Sequence, residues 1–229
     1  MIRAILLDLG GPVFNEDAEY RRWTELLVLE LEREGIRVTK EAFWAKIDEE
    51  IARCEENPWL SALWQFVRPD LPWFRRIREA FRESQRTFLQ DLPGVFVRSE
   101  AKEAIPKLAE RYILALAGNQ PVSALEILEE AGLLRYFQWR EVSEGMGVAK
   151  PRPLFFRIIL DSLGVEPEEA VMVGDRLDHD VFPARLLGMK TVRVLLGPYS
   201  YQRPPSSLHF PDASIPDLSG LEEALLIFR

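Results

Sequence analysis

Four short stretches carry the side chains that could do chemistry. They are Asp8 within Asp8-Leu9-Gly10-Gly11-Pro12, the pair Gly118-Asn119, Lys150 at the head of Lys150-Pro151-Arg152-Pro153, and Gly174-Asp175 with Asp180 shortly after. Three of them follow a short apolar run, so each falls where a buried strand would end. In an open parallel sheet the carboxyl ends of the strands are where ligands bind. Two carboxylates at neighbouring strand ends make a hard-oxygen site suited to magnesium. A lysine beside them offsets their repulsion and holds an anionic substrate as a point charge. Glycine-rich turns expose backbone N–H groups that suit phosphate oxygens. The two histidines, His179 and His209, have no nucleophile near them in sequence and read as structural or exposed.

The elements that must position these residues fall into two classes. Residues 2–7 read as a strand that closes on Asp8. From 16 to 92 the pattern is helical: 17–35 stopped by Gly35, a second helix capped by Thr39 and running to about Arg53, breaks at Pro58 and Pro72, and a helix over 73–90 carrying Phe74, Ile77, Phe81 and Phe88. Pro93-Gly94 closes this segment. It holds Trp23, Trp44, Trp59, Trp64 and Trp73, five of the six tryptophans, which read as the bulky core of a small helical unit.

After residue 92 strands and helices alternate. A helix is expected over 99–111 despite Pro106, then a strand over 113–117, a helix over 122–132 and a short strand over 139–142. A helix over 154–163, a strand over 170–173, a helix to Gly188 and a strand over 191–196 follow. Residues 198–216 read as loop and 217–228 as a closing helix. Alternation of this kind predicts a parallel sheet with right-handed crossovers. The fold class is therefore α/β, a Rossmann-like core formed by 1–15 and 93–229 with an all-helical domain inserted over 16–92.

Composition narrows the function classes. With 47% hydrophobic and 29% charged residues, the chain of 229 residues is globular rather than disordered. A net charge of -8 argues against nucleic acid and membrane surfaces as partners, and no apolar run is long enough to span a bilayer. The first apolar run is broken by Asp8, unlike a secretion signal. A lone cysteine, Cys54, forms neither an internal disulfide nor a cysteine metal cluster, which points to a cytoplasmic protein.

Taken in order, the four stretches resemble the motifs of the haloacid dehalogenase superfamily. The first motif falls on Asp8-Leu9-Gly10-Gly11-Pro12-Val13 and the second on Ala117-Gly118-Asn119. The third falls on Lys150 to Phe156, and the fourth on Val171-Met172-Val173-Gly174-Asp175 with Asp180. The helical insert is similar to that family's cap. The resemblance implies that Asp8 is a nucleophile forming an aspartyl intermediate. It implies that Asp8, the Gly10 carbonyl and Asp175 hold Mg2+, with Asp180 supporting the metal shell. Lys150 would orient Asp8 and the transferring phosphoryl group, and Gly118 and Asn119 would bind substrate.

Two positions depart from the family pattern. Gly10 stands where most phosphatases of this family carry the aspartate that acts as general acid and base. Gly118 stands where the second motif has a hydroxyl. The expected activity is magnesium-dependent hydrolysis of a small phosphorylated metabolite, by a monomer or homodimer. The alternatives are a 2-haloacid dehalogenase, whose leaving halide needs no proton, and a non-catalytic protein that keeps the fold for binding.

Overall fold

The computed structural model describes residues 1–91 and 96–228, with side chains omitted over 84–91. The Phe88 and Pro93-Gly94 expectations lie outside the described residues and side chains. The chain divides into two compact units, 1–15 with 96–229 and 16–95.

The first unit is built on β1 (Ala4–Leu7), whose four side chains are all fully buried. A strand covered on both faces must be apolar throughout, which is why this run shows no alternation. After β1 the chain makes β2 (Phe14–Asn15), and the helical unit then intervenes, composed of α1 (Asp17–Arg33), α2 (Lys40–Ala52), α3 (Pro58–Val67) and α4 (Leu71–Asp91). The chain returns through β3 (Phe96–Val97), which pairs antiparallel with β2. Then come α5 (Ser99–Ala109), β4 (Ile113–Leu116), α6 (Ser123–Glu130), the one-turn α7 (Ser143–Met146) and α8 (Pro153–Leu163). β5 (Ala170–Gly174), α9 (Phe182–Leu186), β6 (Lys190–Val194), β7 (Ala213–Ile215) and α10 (Leu221–Ala224) complete it.

The main sheet has the order β4-β1-β5-β6-β7, and every pairing in it is parallel. From β1 the chain crosses to β4 on one side, then returns past β1 to β5 on the other. The order thus reverses at β1, and a crevice opens outside the carboxyl ends of β4, β1 and β5. One face of the sheet (Ala4, Leu6, Ala115, Ala170, Met172) packs on Phe155, Phe156, Ile159 and Leu160 of α8. Those residues recur at helical spacing, and Pro153 and Gly164 bound the helix at its first turn and its left-handed C-cap.

Several local expectations need correction. Residues 139–142 form no strand: Trp139 makes one bridge to Ala115, and Arg140 Nε then donates back to Phe137 O at 2.7 Å, turning the chain away. The stretch 198–216 contains β7, a three-residue edge strand too short to show periodicity, held to β6 partly by Asp212 accepting from Thr191. The helix expected after Asp175 opens as a single wide turn, Leu177–Val181, before α9. The closing helix starts as a 3-10 turn, with Asp217 accepting the Ser219 N–H at 2.8 Å, and only Leu221–Ala224 is α-helical. The breaks expected at Pro58 and Pro72 are present: each proline lies in the first turn of a new helix, α3 and α4, where its missing N–H has no helical partner to lose. Pro106 sits inside a continuous α5.

In the helical unit Trp23, Trp44 and Trp59 meet in one aromatic cluster, while Trp64 meets Phe74. Trp59, 2% exposed, stacks on Tyr20 with centroids 5.1 Å apart and meets the edges of Trp23 and Trp44. Its Nε1 donates to Thr24 Oγ1 at 3.2 Å, so burying the indole leaves no orphan donor. Thr39 caps α2 by accepting the Ala42 N–H. No described helix is long and apolar enough to cross a membrane.

One carboxyl in this unit is titrated out of its ordinary range. Burial, reinforced by the Glu16 carboxylate, raises Glu19 from 4.5 to about 8. The folded state therefore holds this proton more tightly than the unfolded chain. The associated stability is complete below pH 4.5 and is lost as pH rises through about 8. Thermal melts between pH 5 and 9 should show the wild type losing stability with rising pH, and Glu19→Gln should flatten that slope. An unchanged slope in the variant would refute the assignment.

Candidate active site

Two strand ends at the reversal point, those of β1 and β5, deliver the carboxylates. Asp8 continues directly from β1, and its N–H donates to Val173 O at 2.9 Å, so it is still tied to β5 as the strand ends. Asp175 follows Gly174, the last residue of β5. Asp180 returns to the same place on the wide turn Leu177–Val181. One carboxylate oxygen from each of Asp8, Asp175 and Asp180 lies within 4.8 Å of the other two, and all three residues are buried.

Lys150 enters from the segment before α8. It is 3% exposed, and its Nζ lies 2.9 Å from Asp8 Oδ1 and 2.6 Å from Asp180 Oδ1. Burial alone would lower the lysine, but the Asp180 and Asp8 carboxylates outweigh it and hold Lys150 above its ordinary value, so it is charged. Asp8 Oδ1 also accepts the Leu9 N–H at 2.8 Å, which fixes the carboxylate's rotation.

Two glycines make this convergence possible. Gly11 has φ +81°, and a Cβ there would lie 2.8 Å from Asp175 Oδ2. A Cβ on Gly174 would lie 2.3 Å from both Cγ and Oδ2 of Asp180. Gly11, in the turn after Asp8, and Gly174, just before Asp175, are thus glycine because carboxylates occupy the volume a side chain would need. At Gly118 a Cβ would meet Leu9 Cβ, Leu9 Cγ and Gln120 Cγ at 3.2 Å, a contact that modest shifts could relieve.

Asn119, expected to bind substrate, has its side-chain amide on the backbone of Lys150. Its Oδ1 accepts the Lys150 N–H and its Nδ2 donates to Lys150 O, both at 2.9 Å. The side-chain amide grips the Lys150 backbone as a second strand would, which sets where the ammonium points. Asp180 likewise has both oxygens engaged, Oδ1 by Lys150 and Oδ2 by the Arg176 N–H at 3.0 Å. Gly10 is half-buried in the turn after Asp8 and bridges to Phe14. His179 is driven down to about 3 by burial and by the Arg176 charge, so it is neutral.

The sequence reading missed a polar wall behind the fourth stretch: Arg176, Asp178, Arg193, Tyr199 and Gln202. Arg193 alone left a signal, a charged residue in the middle of an apolar strand run, and it is 6% exposed.

Chemically, three buried carboxyl groups gather around one buried lysine. Oxygen donors at that spacing fit a hard divalent cation.

The model of haloacid dehalogenase-like hydrolases matches residues 2–188. The chain belongs to this family. It is 33% identical over 123 residues to a glyceraldehyde 3-phosphate phosphatase of Pyrococcus furiosus, covering 53% of this chain and 49% of that one. It is 34% identical over 144 residues to a phosphoserine phosphatase of Thermus thermophilus, covering 63% and 54%. The chain thus spans about half the length of these curated relatives. In fold it is similar to a crystal structure described as a predicted phosphoglycolate phosphatase from Haemophilus somnus, with TM-score 0.70 at 19% identity over 97% of both chains.

The close approach at Gly174 gives a stability test that needs no substrate. Gly174→Ala must displace Asp180 and break the Lys150–Asp180 pair, at a cost of about 3–5 kcal/mol. Gly118→Ala asks only for small shifts and should cost about 1–2 kcal/mol. Denaturant unfolding of both variants measures the difference; equal costs would contradict the geometry.

Proposed function

We propose that this chain is a cytoplasmic, magnesium-dependent phosphatase that hydrolyses a small phosphorylated metabolite through an aspartyl-phosphate on Asp8. The observation that carries the reading is the buried cluster of Asp8, Asp175 and Asp180 around Lys150. The phosphatase names of the curated relatives support the reaction class. A dehalogenase would have little use for the Asp175 carboxylate, which adds negative charge beside the nucleophile. The helical unit is proposed to choose the substrate.

In this reading Asp8, Asp175 and the Gly10 carbonyl hold the magnesium ion. When bound, it supplies charge neutralisation for the nucleophile and the phosphoryl oxygens. The Asp8 carboxylate attacks phosphorus, an oxygen–phosphorus bond forms, and the bond to the leaving oxygen breaks. Lys150 offsets the gathering negative charge and keeps Asp8 oriented, while Asp180 and Asn119 keep Lys150 in place. Water then attacks the aspartyl-phosphate, releasing phosphate and restoring the carboxylate.

No carboxyl at position 10 is available to protonate the leaving oxygen or to deprotonate the water. Aryl, acyl and anomeric phosphates leave as stabilised anions, whereas simple alkoxides do not. General acid–base help is worth about 10²–10⁴-fold, so alkyl phosphates should lag aryl ones by a factor of that order. A rate series against leaving-group pKa measures this, with Asp8→Asn as the inactive control. A flat series with full activity would show that another residue supplies the proton. Magnesium should also raise the melting temperature by binding only the native state, worth about 2.7 kcal/mol at a hundredfold excess over its dissociation constant. Asp175→Asn should erase that shift; its persistence would place the metal elsewhere.

A further inference from the structure

The loop from Asp175 to Asp180 carries two of the three clustered carboxylates; its wide turn is closed by the Asp180 and Val181 N–H groups on Arg176 O, and further partners brace it from outside. These outside partners come from β6 and the segment after it. Arg193, on β6 itself, directs its guanidinium at three main-chain carbonyls: Nε at Asp175 O (3.2 Å), Nη1 at Gln202 O (3.1 Å) and Nη2 at Tyr199 O (2.5 Å). Gln202, 3% exposed, accepts the Leu177 N–H on Oε1 and donates from Nε2 to Asp178 Oδ1, both at 2.9 Å. The Tyr199 hydroxyl accepts from Arg176 Nη1 at 3.3 Å, and its ring lies under the same guanidinium at 4.4 Å. Arg176 in turn pairs with Asp178. The turn Pro198–Tyr201 with Gln202 therefore braces the carboxylate loop through its two buried side chains, Tyr199 and Gln202.

Like charges held within a few ångströms repel, and the Asp175 loop, left alone, would relax outward. Something must hold it in against that repulsion until a cation arrives. We infer that Arg193, Tyr199 and Gln202 are positioning residues that hold the Asp175–Asp180 loop in its cation-ready geometry, and so set metal affinity without touching metal or substrate. The inference rests on the proposal that the cluster binds a divalent cation. Outer partners of this kind raise affinity because the geometry is prepared before binding.

The test is Gln202→Met, which keeps the volume and removes both hydrogen bonds. Mn2+ binding, followed by loss of the free-ion electron paramagnetic resonance signal, should weaken by about 10–100-fold. The magnesium dependence of aryl phosphate hydrolysis should move to higher concentration by the same factor, with kcat recovered at saturating metal. A merely structural lesion would lower the melting temperature and kcat while leaving Mn2+ affinity in place. Arg193→Lys keeps the charge but cannot span three carbonyls, and Tyr199→Phe removes one hydroxyl; they repeat the test if Gln202→Met does not fold. Wild-type Mn2+ affinity in the folded variants overturns the inference alone. Failure of the wild type itself to bind Mn2+ overturns the metal reading and the inference with it.

Discussion

The structure depends on a buried lysine shared between two buried carboxylates. Removing Lys150 from between Asp8 and Asp180 would leave three carboxylates in a low-dielectric pocket with nothing to balance the nearer two. Burying such groups is expensive, and a buried ion pair contributes little net stability against an apolar replacement. What the arrangement provides is placement: an Asp8 carboxyl group whose rotation is fixed by the Leu9 N–H and whose neighbour is Lys150. The surrounding features serve that placement. Asn119 grips the lysine's backbone, Gly174 clears room for Asp180, and Gly11 clears room for Asp175.

Most of the sheet was legible because its strands are apolar on both faces and end on turn residues. Residues 2–7, 113–117 and 170–173 were each read within a residue or two of β1, β4 and β5. Asp8, Lys150 and Asp175 were legible for the same reason, since a charged residue closing a buried strand or heading an amphipathic helix stands out. What was not legible depends on contacts distant in sequence. β7 is three residues long and exists because β6 offers it a ladder. Nothing local distinguishes Trp139, which makes a single bridge, from a residue in a full strand.

Side-chain roles within the site were harder to read than positions. Asn119 is a natural donor to a phosphate by residue type, and only the structure reveals both ends of its amide committed to Lys150. Asp180 reads as a metal-shell residue by motif, and the structure places it in the carboxylate cluster with its two oxygens also meeting an ammonium and a backbone N–H. Gln202 gives no sequence signal at all, because it lies in a proline-rich stretch and acts through groups 24 and 25 residues away.

The short β2–β3 ribbon has a consequence for how such a chain can change. Phe14 pairs with Val97 and Asn15 with Phe96, so the strand leaving the sheet domain and the strand returning to it lie side by side. The helical segment is therefore a closed excursion whose two ends are already joined by backbone hydrogen bonds. Loop-closure cost rises only slowly with length, by about 0.6 kcal/mol per doubling. A longer, shorter or differently folded insert could occupy the same gap without altering the register of β1 against β4 and β5. The ribbon makes the insert interchangeable, so selection could remodel one unit of the molecule while the chemistry in the other stands still.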